Sequence, residues 1–167
     1  MISIFRMSDI KKPTSLQSIF MTLQQRTQAG TVLLGAAIVD QQLQDAILTK
    51  LHKVSRSLEN ELFAGYGPLA SLSAKIALAY AMGLLDHLNY KRLTVARQIR
   101  NKFAHTDDFI DFETPEIRKL IGKFPTNAPS DLKGEFIYFW QLQQVEQYLV
   151  ATAGQHILKP SKTITVV

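Results

Sequence analysis

The sequence predicts an all-α protein: a single irregular bundle of five to six helices around a central apolar helix at about residues 69–85. Three observations lead there. Val32, Leu33, Ala36, Ala37, Leu43, Ile47, Leu51 and Val54 recur at steps of three and four, with no proline among them, the spacing of one helix face. Residues 69–85 are apolar nearly all the way round a helical wheel, with Ser71 and Lys75 as a polar spot, as suits a helix surrounded by others. Prolines and glycines cluster between these segments, at Gly65-Tyr66-Gly67-Pro68, Pro125 and Pro129, where they punctuate helices.

The elements follow in order. Residues 1–13 read as a flexible N-terminal arm ending at Pro13, residues 14–158 as one helical domain and residues 159–167 as a frayed tail. A first helix is predicted from Ser15, capped by Thr14 or Ser15, to about Gln25. The second covers residues 27–54. A connection over 55–68 holds a short helical turn at 58–63, and the central helix follows. Residues 86–89 form a turn, with Asn89 as cap for a helix over 90–104. An irregular acidic segment, 105–113, leads to Thr114-Pro115, a capping residue before a proline that loses nothing at the first helical position. That helix ends by Gly122. Ser130 or Asp131 caps a last helix running to about Leu158.

Composition narrows the chemistry. The chain has 167 residues, enough for one domain that buries about 70% of its unfolded surface. Its 46% apolar content is that of a globular protein. The absence of cysteine excludes disulfides, thiolate metal sites and cysteine nucleophiles. His52, His87 and His156 show no metal-ligand spacing, there is no Gly-rich phosphate loop, and neither a metal nor a cofactor is expected. The apolar run 76–85 is shorter than the about 20 residues needed to cross a bilayer, and residues 1–12 do not read as a secretory signal. A cytoplasmic location is the expectation. The net charge of +5 favours acidic partners weakly.

Charges stand where apolar residues should be. Asp40 lies three and four residues from Ala37, Ala36 and Leu43; Arg100 lies among Leu93, Ala96, Phe103 and Ala104; Lys75 sits on the central helix. Buried charges must be paired, so Asp40 and Arg100 are expected to meet, directly or through a bridging group such as Tyr80, Ser73 or Lys75. Two readings stay open: a structural ion pair, or a polar pocket for a small anion built on Arg100 and Lys75. Residues 89–106 carry Lys91, Arg92, Arg97, Arg100 and Lys102 and no acidic residue, so Lys91, Arg92 and Lys102 form a possible nucleic-acid face. The acidic residues that follow can fold back and neutralise it. A helix-turn-helix over 79–103 lacks an exposed reading face.

Residues 67–85, from Gly67-Pro68-Leu69-Ala70 to Ala81-Met82-Gly83-Leu84-Leu85, resemble the core signature of the mannitol operon repressor family. Ala96-Arg97-Gln98-Ile99-Arg100-Asn101-Lys102-Phe103-Ala104-His105 is similar to that family's Ile-Arg-x-Ile-Arg-Asn-x-Phe-Ala-His ending, and residues 33–40 resemble its helix leading to an Asp. Together these cover about residues 25–120; residues 124–167 match no pattern. The resemblance implies an all-helical transcriptional regulator of a sugar-alcohol operon. It brings no recognisable DNA-binding domain, so action through a protein partner or a second copy is expected, with nucleic acid contacted weakly or indirectly. The binding candidates are Asp40, Lys75, Arg97, Arg100, Asn101 and His105. Arg100-x4-His105 is also similar to the Arg-x4-His pattern of HEPN ribonucleases, with Arg100, Asn101 and His105 as the alternative catalytic set and His105 as acid/base. A histidine at a helix C-terminus is equally favourable to the dipole without catalysis. A non-enzymatic role is the expectation.

Overall fold

A computed structural model describes residues 15–105 and 110–157. The predicted arm and tail lie outside the described residues. Six helices occur among the described residues: α1 Ser15–Leu48, α2 Arg56–Phe63, α3 Leu72–Ala81, α4 His87–His105, α5 Pro115–Ile121 and α6 Gly134–Ile157. No strand occurs among the described residues, and the all-α bundle is as expected.

The two N-terminal helices are one. Nothing at residues 25–27 breaks a helix, and α1 runs unbroken for 34 residues. It stops at Leu48, short of the predicted Val54. There the Thr49 hydroxyl donates to the Ala46 carbonyl at 2.6 Å, and the Lys50 and Leu51 amides turn back onto Ile47. Ser55 caps α2 by accepting from the Leu58 amide.

The segment expected at the centre is shorter than predicted and lies to one side. Ser71 caps α3 by accepting from the Ala74 amide. At the other end Gly83 adopts φ +71. The Leu84 amide reaches the Ala79 carbonyl at 2.8 Å and the Gly83 amide reaches Tyr80, the paired closure that ends a helix at a left-handed glycine. Leu84 and Leu85 are then buried in a turn. α3 packs against α1 and α4, while Ala77, Tyr80 and Ala81 face solvent. The hub is α4, which packs against α1, α3, α5 and α6.

Asp86, not Asn89, starts α4: its carboxylate accepts from the Asn89 amide at 2.8 Å. Pro115 opens α5 as predicted, but the Thr114 hydroxyl bonds Asp111 instead of capping. The last helix begins at Gly134, after the turn that holds Ser130 and Asp131. α6 runs parallel to α1: Tyr138 donates to the Val32 carbonyl, and farther along both helices Gln42 donates to Glu146. The core fills from every helix, with Val32, Leu43, Ile47, Leu93, Ile99, Ile117, Tyr138 and Val145 almost wholly buried.

Candidate functional site

Five of the six binding candidates come together. α1 brings Asp40, α4 brings Arg97, Arg100 and Asn101, and the start of α3 brings Ser71 and Ser73, all lining one cleft of about 400 Å3. Lys75 lies beneath it, 3% exposed, and its ammonium donates to Asp40 Oδ2 at 2.7 Å. The same ammonium lies 5.8 Å from the Phe63 ring centroid, where ring and cation attract.

Asp40 thus pairs with Lys75, one of the expected bridging groups, in place of the expected direct meeting with Arg100. The Arg100 guanidinium donates to the adjacent Asn101 Oδ1 at 3.2 Å. Asp40 and Arg100 share the cleft without forming an ion pair, and Lys75 holds the carboxylate. Lys75 is therefore not free to bind an anion as the pocket reading supposed. Ser71 Oγ lies 3.1 Å from Ser73 Oγ and accepts from Ala74 N–H, a polar seam at a helix start. Arg97 and Arg100 are half-buried. No carboxylate among the described residues comes within ion-pair distance of either. Because Asp40 and Lys75 cancel, the cleft carries the positive charge of two guanidinium groups.

His105 falls elsewhere. It lines a second cleft of about 240 Å3 with Asn101, Lys102, Thr114 and Glu116. Arg100 is not among that cleft's lining residues. Arg100 and His105 thus open onto different clefts with Asn101 between them. Five residues along an α-helix are about 140° round its axis, which keeps the two from converging as an acid/base and phosphate-binding pair.

The basic face of α4 is also divided. Lys91 is exposed. Arg92 is 7% exposed and donates to Gln141 Oε1 at 3.0 Å, Asn89 Oδ1 at 2.8 Å and Thr126 Oγ1 at 3.2 Å. Burial pulls its pKa below the usual guanidinium value, and Asp86 opposes the shift. It cannot belong to a nucleic-acid face. Lys102 is surface-exposed but bound to Glu116 at 2.7 Å, which holds the Glu116 carboxyl below the usual carboxylate range through that hydrogen bond and charge. Of the acidic residues that follow α4, Glu116 folds back onto Lys102. Sequence reasoning missed the Arg92 network. Its signal was Gln141, a polar residue between Tyr138, Leu142 and Val145 on the buried stripe of α6, now fully buried and donating to the Thr126 carbonyl.

No group of three or more potential ligand residues that could hold a metal occurs among the described residues. No helix there is long and apolar enough to cross a membrane. Fold and cleft together define an all-helical protein with a polar cleft between three of its helices. The chain belongs to the mannitol repressor family, whose model matches residues 17–150. That match extends the sequence resemblance through most of α6. The chain is also similar to a solved structure, the MtlR–HPr complex from Escherichia coli, at 20% identity over 77% of this chain and 82% of that chain, with a TM-score of 0.45. No curated protein matches significantly.

Proposed function

We propose that this protein is a cytoplasmic, non-enzymatic regulator of the mannitol repressor type that acts through a protein partner. The supporting observation is an apolar groove between the parallel helices α1 and α6. Its volume is about 460 Å3, and Ile38, Val39, Phe136, Phe139, Trp140 and Leu142 line it. Ile38 is 50% exposed and Phe136 65%. Large apolar side chains grouped in a groove mark interaction sites on soluble proteins, and aromatic anchors dominate interface energetics. α4, by contrast, offers little continuous basic surface with Arg92 buried and Lys102 paired. Direct DNA contact is then weak and strongly salt-dependent.

HPr, the partner named for the solved relative, is the first protein to test. Titration calorimetry should detect binding, and Phe136→Glu should weaken it at least about tenfold with an unchanged circular dichroism spectrum. Unaltered affinity in that variant would remove the groove from the reading. Self-association that Phe136→Glu abolishes, with no partner bound, would replace the partner by a second copy of the chain.

A further inference from the structure

We propose that the cleft between α1, α3 and α4 binds a small phosphate ester, with its phosphate held by Arg97 and Arg100. The site is distinct from the apolar groove, which lies between α1 and α6, so either can fail without the other.

The first argument is charge. Elsewhere in the described structure, basic groups near acids take them: Lys75 takes Asp40, Lys102 takes Glu116 and Arg118 takes Glu113. Arg97 and Arg100 are half-buried, about one helical turn apart on α4, and neither has a carboxylate partner among the described residues. Like charges at that spacing repel, and partial burial removes some of the water that would screen them. An anion placed between them relieves both costs. Asp40, the carboxylate in the same cleft, does not supply it, because the buried Lys75 ammonium neutralises it at 2.7 Å.

Geometry is the second argument. The guanidinium is a planar fork that binds phosphate or carboxylate through two parallel hydrogen bonds. Across the cleft stand Ser71 and Ser73, at the start of the ten-residue helix α3. Ser71 Oγ already caps the Ala74 amide; the amides before it have no partner within the helix, and the helix dipole adds positive potential there. Hydroxyls and amides opposite two guanidinium groups can surround a tetrahedral oxyanion from both sides, which a planar carboxylate would use only in part.

Size is the third. The cleft volume of about 400 Å3 exceeds what inorganic phosphate fills and falls within the range of about 300–1,000 Å3 typical of small-ligand sites. Leu33, Ala36 and Ala37 supply an apolar wall for a short carbon chain. An ester therefore fits better than the free ion.

The test uses the intact chain with inorganic phosphate, glycerol 3-phosphate and acetate as probes, each against sodium chloride at equal ionic strength. Binding to the native state raises the melting temperature in a saturable way. Glycerol 3-phosphate should bind tightest, inorganic phosphate more weakly, and acetate no better than chloride. Arg97→Gln should weaken glycerol 3-phosphate at least about tenfold, as should Arg100→Lys, which keeps the charge and loses the fork. Lys119→Gln, an exposed lysine on α5, should change nothing. Amide chemical-shift changes in the wild type should concentrate at residues 71–74 and 97–101, a readout that stands even if an arginine variant folds poorly. Phosphate no better than chloride, or shifts scattered along the basic surface, would overturn the site. An ester no tighter than inorganic phosphate would overturn the assignment to an ester.

Discussion

At Asp40, one carboxylate oxygen takes the Lys75 ammonium, while Oδ1 is shielded from solvent with no hydrogen-bond partner among the described residues. The two residues are unequal: the Lys75 side chain is 3% exposed and that of Asp40 30%. Asp40→Ala leaves a buried ammonium uncompensated, which costs about 3–5 kcal/mol in fully buried pairs. The partial exposure of Asp40 points to the lower end, about 3 kcal/mol. Adding Lys75→Met, of similar length and without charge, should recover much of that loss. Adding Arg100→Leu should not, since Arg100 donates to Asn101. Urea midpoints of the four proteins decide the matter. Recovery by the Arg100 change and not by the Lys75 change would mean that the pairing is wrong.

Two glycines set the limits of elements. Gly83 closes α3 at φ +71 and Gly134 opens α6 at φ +44. Side chains avoid this left-handed region at a cost of about 1–2 kcal/mol. Their surroundings differ. A Cβ on Gly83 would meet nothing within 4 Å, whereas one on Gly134 would stand 2.8 Å from Phe112 Cβ. Phe112 is buried and stacks obliquely on Phe103 and Tyr138, at centroid distances of 5.2 and 6.0 Å, so it cannot yield freely. Gly83→Ala should cost about 1 kcal/mol, from the backbone alone. Gly134→Ala should cost about 2–4 kcal/mol, because overpacking adds to the backbone strain. Denaturant unfolding of both variants gives the comparison. Equal losses would show that the Phe112 contact gives way without cost.

Over the whole molecule, stability against pH follows from where Tyr138 sits. It is wholly buried on α6, between Phe112 and Phe139, with its hydroxyl donating to α1 at Val32. Burial pushes its pKa well above the ordinary phenol value, and the charge of Arg100 only partly opposes this. The folded state therefore keeps the proton after the unfolded chain has lost it. The sign follows: this stability is fully present below the ordinary phenol pKa of about 10 and is lost as pH rises above it. Melting temperatures should fall steeply above about pH 10. The fall should be shallower in Tyr138→Phe, which has no phenol to ionise. Parallel curves for the two proteins would show that Tyr138 does not govern alkaline unfolding.

Much of this protein can be read from within single helices. The three- and four-residue recurrence from Val32 to Ile47, Pro115 after Thr114 and the long stretches without proline determine that it is helical and nearly where. The family patterns at 67–85 and 96–105 determine what it belongs to. Asp40, Lys75 and Arg100 stand out because a charge on an apolar stripe must find an answer inside the fold, and Arg97 and Asn101 through the family pattern at 96–105. What answers it is not a property of one helix. Periodicity specifies a face, but a face does not say which neighbour covers it, and long side chains have several rotamers with which to reach it. Only packing decided that Lys75 holds Asp40, that Arg92 turns inward to Gln141, and that Arg100 and His105 open onto separate clefts. It also put α4 at the centre instead of the more apolar α3. A central helix needs partners around it more than uniform apolarity. α4 meets four, and the polar Arg92 on its buried side is satisfied by Asn89 within the helix and by Gln141 and Thr126 from other elements.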